Sequence, residues 1–168
     1  MSSKAEQRAS LQRVDSTLYR RTCAQFTTGI TVVTVTDSEG HPHGMTVNSF
    51  TSVSLTPPLV LVSIDLRSAV LGHFFSSPHF GINILAEHQQ DLSRRFSQPL
   101  ENRFDGMEWQ KGPAGSPLLE GVLAQMECTT VRSFEAGDHA LLLGEVTDAA
   151  FFEGKPLVYF NSSYQKLP

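Results

Sequence analysis

The stretch HGMTVNSFTSVS (residues 43–54) carries neutral hydrogen-bonding side chains where a strand is expected: Thr46, Asn48, Ser49, Thr51, Ser52 and Ser54 fall on both faces. A heteroaromatic ring with donors and acceptors along its edge is held well by backbone amides and short neutral side chains. Ionised groups there would bias its electronic state and add a desolvation cost. Asn48 offers both a donor and an acceptor. The competing reading is an edge strand kept soluble by polar residues.

Other groups have narrower chemistry. In AGDHALLLGEV (residues 136–146) Asp138 and His139 follow a tight turn and open an apolar strand. A histidine there stands at a strand end, where barrels open to ligands, or else bonds the backbone of its own hairpin. Arg67 with Ser68, and Arg94 with Arg95, sit on or beside short helices near strand ends. Arginine suits phosphate through its bidentate fork, and a Ser-capped helix N-terminus favours an anion. Solvated surface arginines are the alternative for both pairs.

Several chemistries are not supported. TTGIT (residues 27–31) has the composition of a phosphate loop but the wrong order, a helix ending and a strand beginning, so Gly29 is expected to stop a helix. Neither GxGxxG nor GxxxxGK[ST] occurs. His41 and His43 form an HxH pair in a Pro- and Gly-rich turn without an evident third ligand, and are expected to be solvated rather than metal-bound. No GxSxG elbow presents a serine, Cys23 on an expected amphipathic helix and Cys128 in an expected strand stand where buried inert thiols are common, and no apolar segment holds paired acids.

The elements that must position these groups are legible in outline. Residues 1–13 read as a flexible tail and residues 14–168 as one domain. Asp15 and Ser16 cap a helix bearing Leu18, Tyr19, Cys23 and Phe26. ITVVTVT is a strong strand, DSEGHPHG a turn, and the polar stretch returns as a second strand. Leu59 to Asp65 forms a third strand, followed by a short helix with Val70, Leu71, Phe74 and Phe75. FGINILA is a fourth strand, and His88 to Ser97 a helix with Leu92 and Phe96 on one face. Gln98 to Pro117 reads as a long surface excursion; VLAQMECTTVRSF and HALLLGEVTDAAFF form a hairpin around Glu135, Ala136 and Gly137, and PLVYF a last strand. Short turns between strands imply antiparallel pairing, and closure into a small barrel with peripheral helices removes exposed edges.

The 168 residues are 40% hydrophobic and 18% charged, values of an ordinary globular chain, with net charge −4. That charge argues against nucleic-acid binding. No run approaches the ~20 apolar residues of a membrane span, and two distant cysteines without a secretory leader suit free thiols in the cytoplasm.

In order along the chain, FTTGITVVTV, HGMTVNSFTSVSLTPPLVLVSID, FGINIL, LSRRF and AGDHALLLGEV resemble the short-chain flavin reductases, the reductase components of two-component flavin-dependent monooxygenases. The resemblance runs from Leu18 to Tyr164. It implies an FMN-binding split β-barrel, mostly β with peripheral helices, usually a homodimer with flavin near the subunit interface. It also implies reduction of FAD or FMN by NADH or NADPH, and a partner monooxygenase that receives the reduced flavin. Carried onto this sequence, Met45, Thr46, Val47, Asn48 and Ser49 would line the isoalloxazine edge and ribityl chain. Ser63, Asp65, Arg67 and Ser68 would lie near the ribityl and phosphate groups. Arg95 and Phe96 would approach the distal phosphate or adenine, and His139 the nicotinamide. Relatives often carry Arg-Ser-Ser-x-Thr after the third strand, whereas this chain reads Arg67-Ser68-Ala69-Val70-Leu71, and the missing hydroxyls leave the phosphate contacts, and with them the choice between FAD and FMN, open.

Hydride transfer from C4 of the nicotinamide to N5 of the flavin is chemistry the cofactors carry themselves; the protein stacks and shields the rings. That accounts for the lack of a nucleophile or an acid pair. A flavin-binding module without activity, and a reductase passing electrons to a corrinoid or ferric chelate, remain alternatives.

Overall fold

In the computed structural model, which describes residues 14–167, helix α1 (Ser16–Cys23) starts where Asp15 Oδ1 accepts from the Leu18 amide at 2.8 Å. The expected tail, residues 1–13, lies outside the described residues. The helix ends at Cys23 rather than at Gly29: Ala24 closes it in the right-handed conformation. Gly29 instead belongs to a short strand, β1 (Thr28–Gly29), drawn away from the helix by pairing with β11 (Val158–Phe160). Leu18, Tyr19 and Phe26, spaced for a buried face, are exposed in the single chain.

The β-branched run forms β2 (Thr31–Thr36), buried along nearly its whole length because both of its faces are covered. Val33 and Val35 point into one apolar cluster with Val62, Ile64, Phe74, Phe80, Ile82 and Leu142. Ile30 and Val32 join a second with Leu85, Phe96, Phe104, Leu119 and Leu157. The polar stretch does not return as one strand. It makes β3 (Pro42–Val47), breaks at Asn48, Ser49 and Phe50, and resumes as β4 (Thr51–Leu55). Next come β5 (Pro58–Asp65), helix α2 (Leu71–Ser76), β6 (His79–Ile84), a 3-10 turn (Glu87–Gln89) and helix α3 (Gln90–Ser97). The surface excursion contains β7 (Trp109–Lys111) and leads into β8 (Pro117–Leu119); β9 (Ala124–Ala136) and β10 (His139–Phe151) form the expected hairpin, and β12 (Ser163–Gln165) follows β11. The excursion is more ordered than its composition suggests, because Phe104 sits edge-on to both Phe96 and Trp109 in the second cluster.

Seven strands pair antiparallel in the order β3-β2-β6-β9-β10-β5-β4. β3 and β4 are therefore opposite edges of the sheet, yet only Asn48, Ser49 and Phe50 join them. Such a link forces the sheet to curl until its edges approach. Among the described residues no ladder closes the gap, and the result is a split barrel. Ser49 bridges the split: its Oγ donates to Ser63 O at 2.9 Å and accepts from Ser63 N at 3.0 Å.

Packing also separates the two thiols. Cys128 is fully buried, and burial, reinforced by the charge of Glu127, pushes its thiol up to about 12, whereas Cys23 is exposed on α1. Since the thiolate is the reactive form, the native protein is expected to take one maleimide label, at Cys23, and a second only after unfolding. Mass spectrometry of the labelled native protein checks this; labelling at both sites would contradict the burial.

Candidate functional site

The curl brings β3 against the end of β5, and the space between them is a cavity of about 890 Å³. Its walls come from β3, from the segment between Asp65 and His73, and from the end of α3 with the loop after it. Gly44 allows the close approach of α3: a Cβ there would lie 2.9 Å from Val33 O and 3.0 Å from Phe96 Cε1. Thr46 Oγ1 fixes the same helix by donating to Ser93 O at 2.7 Å. Arg103 ties the loop down, donating from Nη1 to Gly44 O at 2.7 Å and from Nε to Gln98 O at 2.8 Å; burial lowers the pKa of its guanidinium.

Of the residues singled out in the sequence, Met45, Thr46, Asp65, Arg67, Ser68 and Phe96 border this cavity. Val47 points into the first apolar cluster, Asn48 is exposed in the link, and Ser49 is engaged with Ser63. Arg95 stands apart, its Nη2 donating to the carbonyls of Asn102 (3.3 Å) and Asp105 (2.5 Å) in the following loop. The hydroxyls thus divide by use. Thr46 and Ser49 satisfy backbone groups of the barrel, whereas Ser68 Oγ meets only the thioether of Met45, at 3.4 Å, a weak acceptor. Thr51, Ser52 and Ser54 lie on the edge strand β4, where polar residues discourage further strand pairing.

His139 reaches this region through the β5–β10 ladder, in which it pairs directly with Asp65. Gly137, at φ +67°, makes the tight turn that starts β10 there. His139 Nδ1 lies 2.7 Å from Asp138 Oδ1, and that contact lowers the Asp138 pKa. Asp65 is held well below the usual carboxylate range by the Arg67 guanidinium, which donates from Nε to Oδ1 at 3.0 Å and from Nη2 to Oδ2 at 2.7 Å; the same contact raises Arg67. Asp65, Arg67, Ser68 and His139 thus gather at one end of β5, beside β3.

The HxH pair departs from expectation. His41 is exposed, but His43 is half-buried at the rim of the cavity, with Nε2 2.8 Å from Asp37 Oδ2. Its ring stacks on that of His73 from α2, with centroids 3.8 Å apart and planes inclined by 10°. The cause is tertiary: α2 folds over the end of β3 and delivers a histidine from a distant part of the chain. Potential metal-ligating atoms of Asp37, His43 and His73 all lie within 4.8 Å of one another. Stacked, nearly parallel imidazoles cannot aim their in-plane lone pairs at one ion, however, so the trio as it stands is an aromatic stack with an anionic anchor. Sequence reasoning missed His73, Arg103 and Phe104; His73 had only its place in an amphipathic helix as a signal.

Residues 23–168 match the family described as flavin reductase like domain. The chain is 46% identical over 141 residues to the reductase component of a flavin-dependent trigonelline monooxygenase of Acinetobacter baylyi, covering 83% of this chain and 45% of that protein. It thus spans less than half of that relative's length. It is 43% identical over 150 residues to an FMN reductase (NADH) of Agrobacterium fabrum, covering 89% of this chain and 85% of that one. Among solved structures, an NADH:FAD oxidoreductase of Streptomyces globisporus, in complex with NAD and FAD fragments, superposes with a TM-score of 0.86 at 36% identity, covering 92% of this chain and 93% of that one. Among the described residues no helix is long and apolar enough to cross a membrane.

Proposed function

This chain belongs to the flavin reductase-like domain family, and from that membership we propose that it is an NAD(P)H:flavin oxidoreductase, moving hydride from NADH or NADPH to FAD or FMN. The observation that carries the reading is the cavity between β3 and the end of β5, bordered by Met45, Thr46, Asp65, Arg67 and Ser68. Flavin supplies the redox chemistry. The chain's own residues bind and orient it: the Met45–Thr46 segment of β3 faces the ring, Ser68 and Arg67 the ribityl and phosphate groups. Ser68 has a hydroxyl free for an oxygen acceptor, and Arg67 an exposed side chain beyond its pair with Asp65. His139, at the neighbouring strand end, positions the nicotinamide. Residues 14–168 form the reductase domain.

In this reading reduced flavin passes to a partner monooxygenase in the cytoplasm, and two chains form a homodimer. Leu55 (90% exposed) and Phe151 (87% exposed) supply apolar surface of the kind dimerisation covers. A site of neutral hydrogen bonds suits the modest affinity that release requires.

Oxidation of NADH and of NADPH, followed at 340 nm with FAD, FMN and riboflavin in turn, tests the function. Steady consumption that depends on added flavin is expected. Absence of turnover with every pair would leave a flavin-binding module without activity. Flavin that stays bound throughout turnover would refute the diffusible carrier.

A further inference from the structure

We propose that the stacked imidazoles of His43 and His73 form a platform for adenine, so that the cavity takes the adenosine diphosphate half of a dinucleotide. The reductase reading supplies the identity of the ligand; the platform rests on geometry. His43 and Met45 project from the same face of β3, and the strand rises about 3.3 Å per residue, which puts His43 about 10 Å along it from Thr46, the far β3 residue that borders the cavity. That is the reach of a sugar chain and phosphate away from the proposed ring site. Ser68, whose Oγ has only the Met45 sulfur as partner, also borders the cavity and can donate to a phosphate oxygen.

The stack is set before any ligand arrives. Asp37 Oδ2 holds the edge of His43 at 2.8 Å, and Asp37 in turn accepts at Oδ1 from the amides of Glu39 and His41, each at 2.9 Å. The His73 ring lies 3.8 Å from that of His43 and inclined by 10°. Both histidines border the cavity, so a purine can add a third layer to an existing pair without ordering a mobile side chain. Every purine has a flat face, and stacking asks for nothing more specific. Pro42 and Leu100 add apolar wall around this end. A volume of about 890 Å³ lies near the top of the range for small-molecule sites, roughly 300–1,000 Å³, and suits an extended ligand.

FAD and NAD(P)H share the adenosine diphosphate group, and the experiment separates them. Calorimetric titrations with ADP, FMN and FAD are made on the wild-type protein, His73→Leu and His73→Phe, with the KM for NADH measured alongside. His73→Leu is expected to weaken ADP about ten-fold, the usual scale for one base on one aromatic side chain. His73→Phe, which keeps a flat ring, is expected to retain most of the affinity. If the adenine belongs to the flavin, FAD weakens with ADP while FMN changes far less. If it belongs to the nicotinamide cofactor, the KM for NADH rises and the ratio of FAD to FMN affinity holds. ADP binding that is absent in the wild type, indifferent to His73→Leu, or lost equally in both variants would overturn the proposal, as would an FMN loss as large as the ADP loss. A protein that binds ADP through His73 yet reduces no flavin would refute the reductase reading and leave this site standing.

Discussion

His139→Ala is expected to lower kcat/KM for the nicotinamide donor by about 10²-fold while leaving flavin affinity intact, the scale of effect that misplacing a reactant by an ångström produces. The side chain stands where β10 begins, opposite Asp65 on β5, and is 41% exposed toward the open end of the ladder. Asp138 Oδ1 lies 2.7 Å from Nδ1. With Nδ1 engaged by that carboxylate, Nε2 is the ring nitrogen left for the carboxamide of a nicotinamide. In the proposed reaction hydride passes between two rings with no proton for a base to remove, so the role proposed for His139 is orientation, and the loss should fall on kcat as well as on KM for NADH. Steady-state kinetics varying NADH at saturating flavin, with flavin titrations on the same variant, make the check. Loss of flavin affinity with an unchanged KM for NADH would contradict the placement.

What the sequence revealed was what short-range physics decides. Asp15 caps its helix, β2 is a run of β-branched residues, and Gly137 turns the long hairpin, each through contacts within a few positions. The polar composition of residues 46–54 was visible too, but its division between two opposite sheet edges was not. That division follows from the order of all seven strands, which no local pattern encodes. Gly29 misled for the same reason: it has the right chemistry for a helix stop, but pairing with Val158 at the far end of the chain makes it part of a strand. In the site, Met45, Thr46, Asp65, Arg67 and Ser68 were marked by their motifs. His43 looked like a solvated turn residue because both of its partners come from beyond the motif: Asp37 across the turn, and His73 from a helix that only tertiary packing brings over β3.

Glu127 is the residue whose importance the sequence hides most completely, and Glu127→Gln is expected to cost about 2 kcal/mol of stability. It lies near the start of β9 and is fully buried, a rare state for a carboxylate. Its compensation comes from two backbone donors: Oε2 accepts from Ala114 N at 2.7 Å and Oε1 from Ser116 N at 2.6 Å. Such charge-assisted bonds are roughly twice as strong as neutral ones. Glutamine has nearly the same shape, and removing the charge relieves part of the burial cost. However its amide is turned, though, an NH₂ group faces a backbone N–H, leaving a buried donor without an acceptor. The second effect outweighs the first, because the polar groups stay in place while one bond becomes a conflict. The consequence spreads beyond the loop, since Gly115 O accepts from Thr36 Oγ1 at 2.8 Å and Pro117 O from Thr34 Oγ1 at 2.5 Å. Both threonines are on β2, the strand against which β3 and the cavity wall are registered. For a chain of this size a 2 kcal/mol loss corresponds to a fall in Tm of about 4–8 °C. Denaturant unfolding measures the energy, and hydrogen exchange at the Ala114 and Ser116 amides reads the tether directly. An unchanged Tm with both amides still protected would show that the carboxylate's charge contributes nothing to holding the loop.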